Sequence, residues 1–170
     1  MSDENFFKIL LAIMVLLVVP SCGVSQEIAD LSWKDYEIAI DQEYVTLGDK
    51  LEKHRALLSS ARRGVRFEEV YNRYEYVYSL NEVEIASYIN FTNTIDTIQV
   101  FTKNIKTYRG LGVGNTRKQI LAKYPRPTYE NSEVVSFSLP GPTLSGWTWN
   151  LNFFFKKENL FKFSYNIAGP

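Results

Sequence analysis

The sequence has a single cysteine and a single histidine among its 170 residues. With only one thiol, no disulfide can form within the chain, and a structural zinc site built on thiolates is excluded. The lone histidine, His54, leaves any metal site to rely on carboxylates. We therefore predict no metal site and no cofactor.

The chain also lacks a net charge, because its 19 basic residues balance its 19 acidic ones. This balance offers no electrostatic footprint for nucleic acid or for an anionic membrane surface. The 45% hydrophobic and 22% charged content is instead typical of a globular protein. An aromatic content of 15%, found mostly in alternating runs, favours a core rich in sheet.

No apolar run is long enough to cross a membrane. The longest, Ile9 to Val19, has 11 residues, whereas a spanning helix needs about 20. This length suits the apolar region of an export signal. Pro20, Ser21 and Cys22 follow the run.

This N-terminal segment resembles the signal of a bacterial lipoprotein, which ends in an obligatory cysteine. The resemblance implies a signal peptide over residues 1–21, cleavage between Ser21 and Cys22, and lipid attachment at Cys22. Pro20 departs from the usual processing box, and the leading segment holds Asp3 and Glu4 besides Lys8. The implied product is anchored by lipid in the cell membrane or the outer membrane, and its folded part lies outside the cytoplasm. A diacylglycerol and a further acyl chain would hold it in the membrane.

Two stretches beyond a short tether, residues 22–27, share one pattern. Gly48-Asp49 and Gly114-Asn115 each come after an apolar residue and before a helical run, which is typical of a turn leading to a helix cap. Asp49 with Glu52 and Thr116 with Gln119 both fit a capping box.

Runs with apolar residues at every second position follow each predicted helix, and this period indicates strands. We therefore predict an α+β protein of two helix-plus-antiparallel-meander units that share or pack their sheets. The first unit covers residues 28–104 and the second covers residues 105–170. Turns are expected at Leu80 to Glu82 and at Lys156 to Asn159, and a strand pair is expected around Asp41.

The helix motif Val113 to Leu121, with Pro127 after it, is similar to that of the BamE/SmpA family of small outer-membrane lipoproteins. The two-unit layout resembles the β-lactamase inhibitor protein, which is built from tandem units of that kind. The resemblance implies a module that binds another protein without catalysis. The family usually has Met where Asn115 stands, and Leu-Gly where Tyr124-Pro125 stand.

Catalytic residues are not evident. His54 lies between Lys53 and Arg55 on the first predicted helix, and we interpret it as a surface residue. The carboxylate pairs Glu68-Glu69 and Glu82 with Glu84 fit a solvated face. The basic stretch Arg62 to Arg66 suggests phosphate binding or a surface role at a helix end, where positive charge is favourable. Trp147 and Trp149, with Tyr74, Tyr76 and Tyr78, suggest an aromatic platform for sugar, although their shared strand parity also suits a core.

Three functional hypotheses follow. The first is a membrane-anchored, non-catalytic module for protein interaction or envelope assembly, whose hallmark is an exposed apolar patch of several hundred Å². The second is a lipoprotein that binds a glycan or small molecule, and the third is a hydrolase. The predicted partners are the lipid bilayer and a protein of the cell envelope, with no nucleic acid.

Overall fold

We describe residues 28–69, 72–89, 93–141 and 146–169 of a computed structural model. The predicted signal peptide, the processing position Ser21–Cys22 and the tether at residues 22–27 lie outside this part of the chain. No helix within the described ranges has the length and apolar character needed to cross a membrane.

Strands dominate the described residues, and helical segments are short. The strands are β1 (Glu37–Ile40), β2 (Glu43–Thr46), β3 (Arg62–Glu68), β4 (Arg73–Leu80), β5 (Val83–Tyr88), β6 (Thr97–Val100), β7 (Tyr129–Glu130), β8 (Val134–Pro140), β9 (Thr148–Lys156) and β10 (Asn159–Ala168). The helical segments are two 3-10 turns, Trp33–Tyr36 and Leu51–His54, and two α-helices, α1 (Arg55–Ser59) and α2 (Arg117–Leu121).

Strands β3 to β10 form one antiparallel sheet of eight strands in the order β3-β4-β5-β6-β10-β9-β8-β7. The predicted fold class, α+β with two helix-plus-meander units, is therefore wrong. The protein is mostly β, and its two runs of strands join where β6 pairs with β10. Strands β1 and β2 form a separate hairpin.

The predicted helices are much shorter than their sequence pattern suggested. Each α-helix has five residues, too few to bury an extended apolar face. Asp49 does not cap the first helix, because its carboxylate accepts hydrogen bonds from Lys53, His54 and the Thr46 amide instead. The capping box of Thr116 and Gln119 is confirmed at the start of α2.

The predicted turns are confirmed where the sequence places polar residues between strands. Asn81 and Glu82, between β4 and β5, have φ angles of 39° and 66°, the left-handed backbone that a two-residue hairpin turn requires. Asp41 and Gln42 turn the β1–β2 hairpin in the same way, with φ of 47° and 71°. Lys157 begins the turn from β9 to β10.

The sheet has one face in the core and one toward solvent. Residues directly opposite one another on neighbouring strands share a face, so Leu80, Val83, Val100 and Phe163 form one continuous inner row. The β1–β2 hairpin and the helical segments cover this inner face with buried side chains, namely Tyr36, Ile38, Ile40, Val45, Leu47, Leu57, Leu58, Ile120 and Tyr124. One hydrophobic core therefore spans both runs of strands.

A buried ion pair fastens the N-terminal segment to this core. Asp35 is 1% exposed, and Arg109 donates to both of its carboxylate oxygens at 2.6 and 2.9 Å. The same guanidinium donates to the carbonyls of Ala29, Asp30 and Lys123. One side chain thus holds three segments that are distant in sequence.

We predict that Arg109→Leu lowers the free energy of unfolding by about 3–5 kcal/mol, because it leaves the Asp35 carboxylate buried without its partner. Glu130→Gln is the control, since Glu130 is 41% exposed in its ion pair with Arg117 and such pairs contribute at most about 1 kcal/mol. Urea denaturation of both variants measures the difference. Equal losses in the two would show that the Asp35 pair does not hold the fold.

Candidate interaction surface

His54 is fully buried, so its interpretation as a surface residue is wrong. Both ring nitrogens face carboxylates, Nδ1 toward Glu43 and Nε2 toward Asp49 at 2.9 Å. Both ring nitrogens are therefore occupied by contacts with side chains of the protein itself. Neither nitrogen is free to take a proton from a nucleophile, so His54 is a structural residue.

Asp49 is the centre of this group. Burial raises its pKa, but hydrogen bonds from Lys53, His54 and the Thr46 amide outweigh burial and hold the pKa below its ordinary value. The carboxylate therefore stays ionised at neutral pH, where it joins the second hairpin strand to the 3-10 turn before α1.

Among the carboxylates of the two pairs, Glu84 is held by an arginine. Glu84 forms an ion pair with Arg66 at 2.9 Å, and Arg66 also binds Glu75, which is 2% exposed. Although burial lowers the pKa of Arg66, its bonds to Glu75 and Glu84 raise it overall. Among the described residues, no group of three His, Cys, Asp or Glu side chains could hold a metal ion.

The aromatic residues of the predicted sugar platform are separated in the structure. Trp149 is buried on the inner face of β9, where its ring lies 5.1 Å from Trp33 and 5.8 Å from Tyr36. Tyr74 lies on β4 near the far edge of the sheet and is 57% exposed. The core interpretation is correct for Trp149 and wrong for Tyr74.

Tyr74 belongs to an exposed apolar surface that we call the overhang, formed by Val65, Phe67, Tyr74, Tyr76 and Tyr78 on the inner side of β3 and β4. Val65 is 60% exposed and Phe67 is 44% exposed. The rings of Phe67 and Tyr74, which pair across the two strands, lie 5.1 Å apart. The sheet extends here beyond the elements that cover its inner face.

Arginine and a groove border the overhang. The guanidinium of Arg63 lies over the Tyr76 ring at 4.3 Å and near the Tyr78 ring at 5.8 Å, and such contacts stabilise a cation on an aromatic face. Between α1 and Tyr78 lies an open groove of about 670 Å³. Its walls combine apolar and charged side chains: Leu51, Glu52, Arg55, Leu58, Ser59 and Arg63.

The outer edge of β3 is the long free edge of the sheet. Strand β3 has seven residues and pairs only with β4. In the described ranges, no backbone hydrogen bond from another element reaches that edge. Strand β7, at the opposite end of the sheet, has only two residues. A long free edge can accept another strand.

The middle of the outer face has a different character. Small uncharged polar residues of four neighbouring strands lie opposite one another here: Thr97, Gln99, Ser136, Ser138, Asn150, Asn152, Ser164 and Asn166. Several are linked directly, with Ser136 Oγ donating to Asn152 at 2.7 Å and Asn152 to Asn166 at 2.7 Å. This surface lacks the exposed apolar side chains of the overhang.

Sequence reasoning missed strand β3. The stretch from Arg62 to Arg66 was interpreted as the end of a helix or a phosphate site, but it forms an edge strand with Arg66 tied to carboxylates. The available signal was the alternation of Arg63, Val65 and Phe67 along one parity. The alternation of apolar and polar residues is weak in this strand, because both of its faces are largely exposed and few apolar residues are needed to cover a core.

Comparison with protein-family models, with curated proteins and with solved structures finds no match for this chain.

We predict that Asp49→Asn lowers the free energy of unfolding at pH 7 by about 1.5–3 kcal/mol, the range for a hydrogen bond to a charged group. The folded-state pKa of Asp49 is depressed, so this stabilisation is present above the ordinary value near 4 and is lost as pH falls through the folded value. Urea denaturation from pH 7 downward should therefore bring wild type and variant together at acidic pH.

The control is Lys53→Ala, because Lys53 is 58% exposed in its pair with Asp49 and should contribute less than about 1 kcal/mol. A difference between wild type and Asp49→Asn that does not change with pH would contradict the assigned ionisation.

Proposed function

We propose that the protein is a lipoprotein of the cell envelope that acts outside the cytoplasm as a non-catalytic protein-interaction module, anchored to a membrane by lipid at Cys22. The overhang carries this proposal. Val65, Phe67 and Tyr74 are large apolar residues at neighbouring positions of two paired strands, and all three are exposed. Contiguous exposed apolar surface of this kind marks interaction sites.

The other large apolar residues that are exposed in the described chain are scattered, which supports the overhang as the interaction surface. They lie on different elements, namely Ile28, Trp33, Tyr44, Phe101, Tyr108, Tyr129 and Phe161. Scattered residues of this kind are ordinary on a soluble surface. The overhang differs because its apolar side chains are adjacent and because a free strand edge and an open groove border it.

The chemistry of the described residues also favours binding over catalysis. His54, which a hydrolase of the Ser-His-Asp type would need at an accessible position, is buried between two carboxylates. Glu84 and Glu75 both hold Arg66. Two of the groups that sequence reasoning considered for chemistry, His54 and Glu84, therefore contact charged partners instead of one another.

The membrane anchor rests on the N-terminal sequence. The 11-residue apolar run and the following Ser21-Cys22 fit an export signal with lipidation. The described chain begins at Ile28, so about six residues from Cys22 would form the tether, which reaches up to about 20 Å when extended. Such a tether would keep the folded part close to the bilayer.

The anchor is tested by intact mass and membrane fractionation in the native host. We expect the native protein in the membrane fraction, cleaved before Cys22 and carrying lipid, because diacylglycerol plus an acyl chain releases very slowly. A Cys22→Ala variant should lose the lipid mass and its membrane association. A native protein that retains residues 1–21 would contradict lipidation.

The overhang is tested by a photo-crosslinking phenylalanine analogue at position 74, with position 129 as the matched control. The two tyrosines are exposed to the same degree, 57% and 55%, but Tyr129 lies on β7 at the other end of the sheet. We expect discrete protein adducts in intact cells from position 74 and none from position 129. Equal labelling at both positions, or none at either, would contradict the proposed interaction surface.

A second candidate function is the binding of a neutral, hydroxyl-rich ligand such as a glycan on the outer face. The observation in its favour is the array of serine and asparagine side chains at the middle of the sheet, whose amides and hydroxyls can donate and accept hydrogen bonds. Titration with neutral oligosaccharides, followed by NMR, would then shift the side-chain amides of Asn150, Asn152 and Asn166. Unchanged spectra at millimolar ligand would reject this function.

A further inference from the structure

The free edge of β3 has a sequence that complements itself. A second copy of residues 62–68 can be laid antiparallel against the first, with Val65 opposite Val65. Each of the remaining residues then lies opposite a residue of another type. Arg62 then lies opposite Glu68, Arg63 opposite Phe67, and Gly64 opposite Arg66. Opposite charges, a cation with an aromatic ring, and two β-branched apolar residues are all favourable cross-strand pairs.

This register also avoids the repulsion that three arginines on one edge would otherwise cause. Charged edge strands commonly prevent pairing, but here no arginine lies directly opposite another. The guanidinium of Arg66 is already held by Glu75 and Glu84 of its own sheet, and it would face a glycine. Arg63 lies over the rings of Tyr76 and Tyr78.

Gly64 supplies a second observation. It lies inside a strand, where glycine is unfavourable, yet its backbone is not in the left-handed region and an added Cβ would meet nothing within 4 Å. The single copy therefore gives no reason for a glycine at this position. Glycine within a strand often marks the close approach of another backbone.

We propose that two copies of this chain pair through their β3 strands, antiparallel and centred on Val65, to form one continuous sheet from two eight-stranded halves. The inference rests on the proposed function, because it makes a second copy the partner that meets the edge of the overhang. The two overhangs then join into one aromatic surface that spans the two-fold axis.

The symmetry of this pairing agrees with two lipid anchors in one membrane. The axis that relates two antiparallel strands of one sheet runs perpendicular to the sheet, so the inner faces of both copies lie on the same side. The N-terminal segment packs on the inner face, where Trp33 contacts Trp149. Both tethers therefore start from the same side, and anchoring in one bilayer would raise the effective concentration of the two edges.

The register is tested by disulfide trapping of the full-length protein in native membranes. Directly opposed residues have Cα atoms about 4.5 or 5.5 Å apart, within the range that a disulfide spans. We expect Val65→Cys to form a covalent dimer by itself under mild oxidation. Arg63→Cys and Phe67→Cys should each remain monomeric alone and should form a dimer when the two variants are expressed together.

The control is Tyr74→Cys, which has similar exposure but lies on β4, one strand spacing of about 4.8 Å further from the axis. A dimer from Tyr74→Cys as efficient as that from Val65→Cys would overturn the register. The natural Cys22 is present in every variant and therefore does not distinguish them.

The affinity is tested by sedimentation of the full chain in detergent. We expect a dimer for the wild type, and for Val65→Lys a dissociation constant raised at least about tenfold, because two like charges meet on the axis. Val65 is well exposed, so the variant should keep its fold. Tyr129→Lys is the matched control, and it should remain dimeric.

The outcomes separate this inference from the proposed function. A monomeric wild type without trapping at position 65 overturns the dimer. If position 74 still crosslinks to a different protein, for example through an acidic strand that pairs with the arginines of β3, the interaction function stands without the dimer. If position 74 also gives no adduct, both fail. Trapping at positions 65 and 63/67 together with a dimeric wild type supports the dimer.

Discussion

The pairing of β6 with β10 is the contact on which the rest of the sheet depends. Thr97 to Val100 lie opposite Phe163 to Asn166, more than 60 residues further along the chain. Each run of strands alone would leave one edge of β6 or of β10 unpaired and much of its apolar surface exposed. Joined at this point, the inner rows that contain Val83, Val100 and Phe163 continue across the junction. Small separate cores would bury too little surface to be stable.

The surrounding ion pairs reinforce this single core from its periphery. Arg109 connects the segment before β1 with the end of α2 through Asp35 and the Lys123 carbonyl. His54 connects the β1–β2 hairpin with α1 through Glu43 and Asp49. Both arrangements place a basic side chain against carboxylates within the covering layer. The covering layer has little helix of its own, so these polar contacts fix its position on the inner face.

Local patterns predicted most strands and turns but not their arrangement. Period-two runs and polar turn residues such as Asn81 and Lys157 are visible in a short window, and the structure confirms them. The lengths of the helices were wrong, because Asp49 and Thr116 both look like caps in sequence but only Thr116 acts as one. The strand order could not be predicted from the sequence, because nothing near Ile98 indicates that Tyr165 will lie opposite it.

The candidate surface was harder to predict than the core. Tyr74 and Tyr78 share a parity with buried residues, and only the position of α1 determines where the cover of the sheet ends. His54 was misjudged because the carboxylates that contact its ring, those of Glu43 and Asp49, come close to it only when the hairpin folds against the segment before α1. Lipidation at Cys22 remains a prediction from sequence, since that position lies outside the described residues.

The central position of β10 has a consequence for the order of events during synthesis. Among the described strands β10 is the last in sequence, yet two others require it as a neighbour. The sheet therefore cannot close until residues 159–168 have been made, and contacts between distant segments slow folding. If the protein is exported as we propose, a chain that stays open until then would pass through a secretion channel without first being unfolded, and it would reach its native state only on the far side.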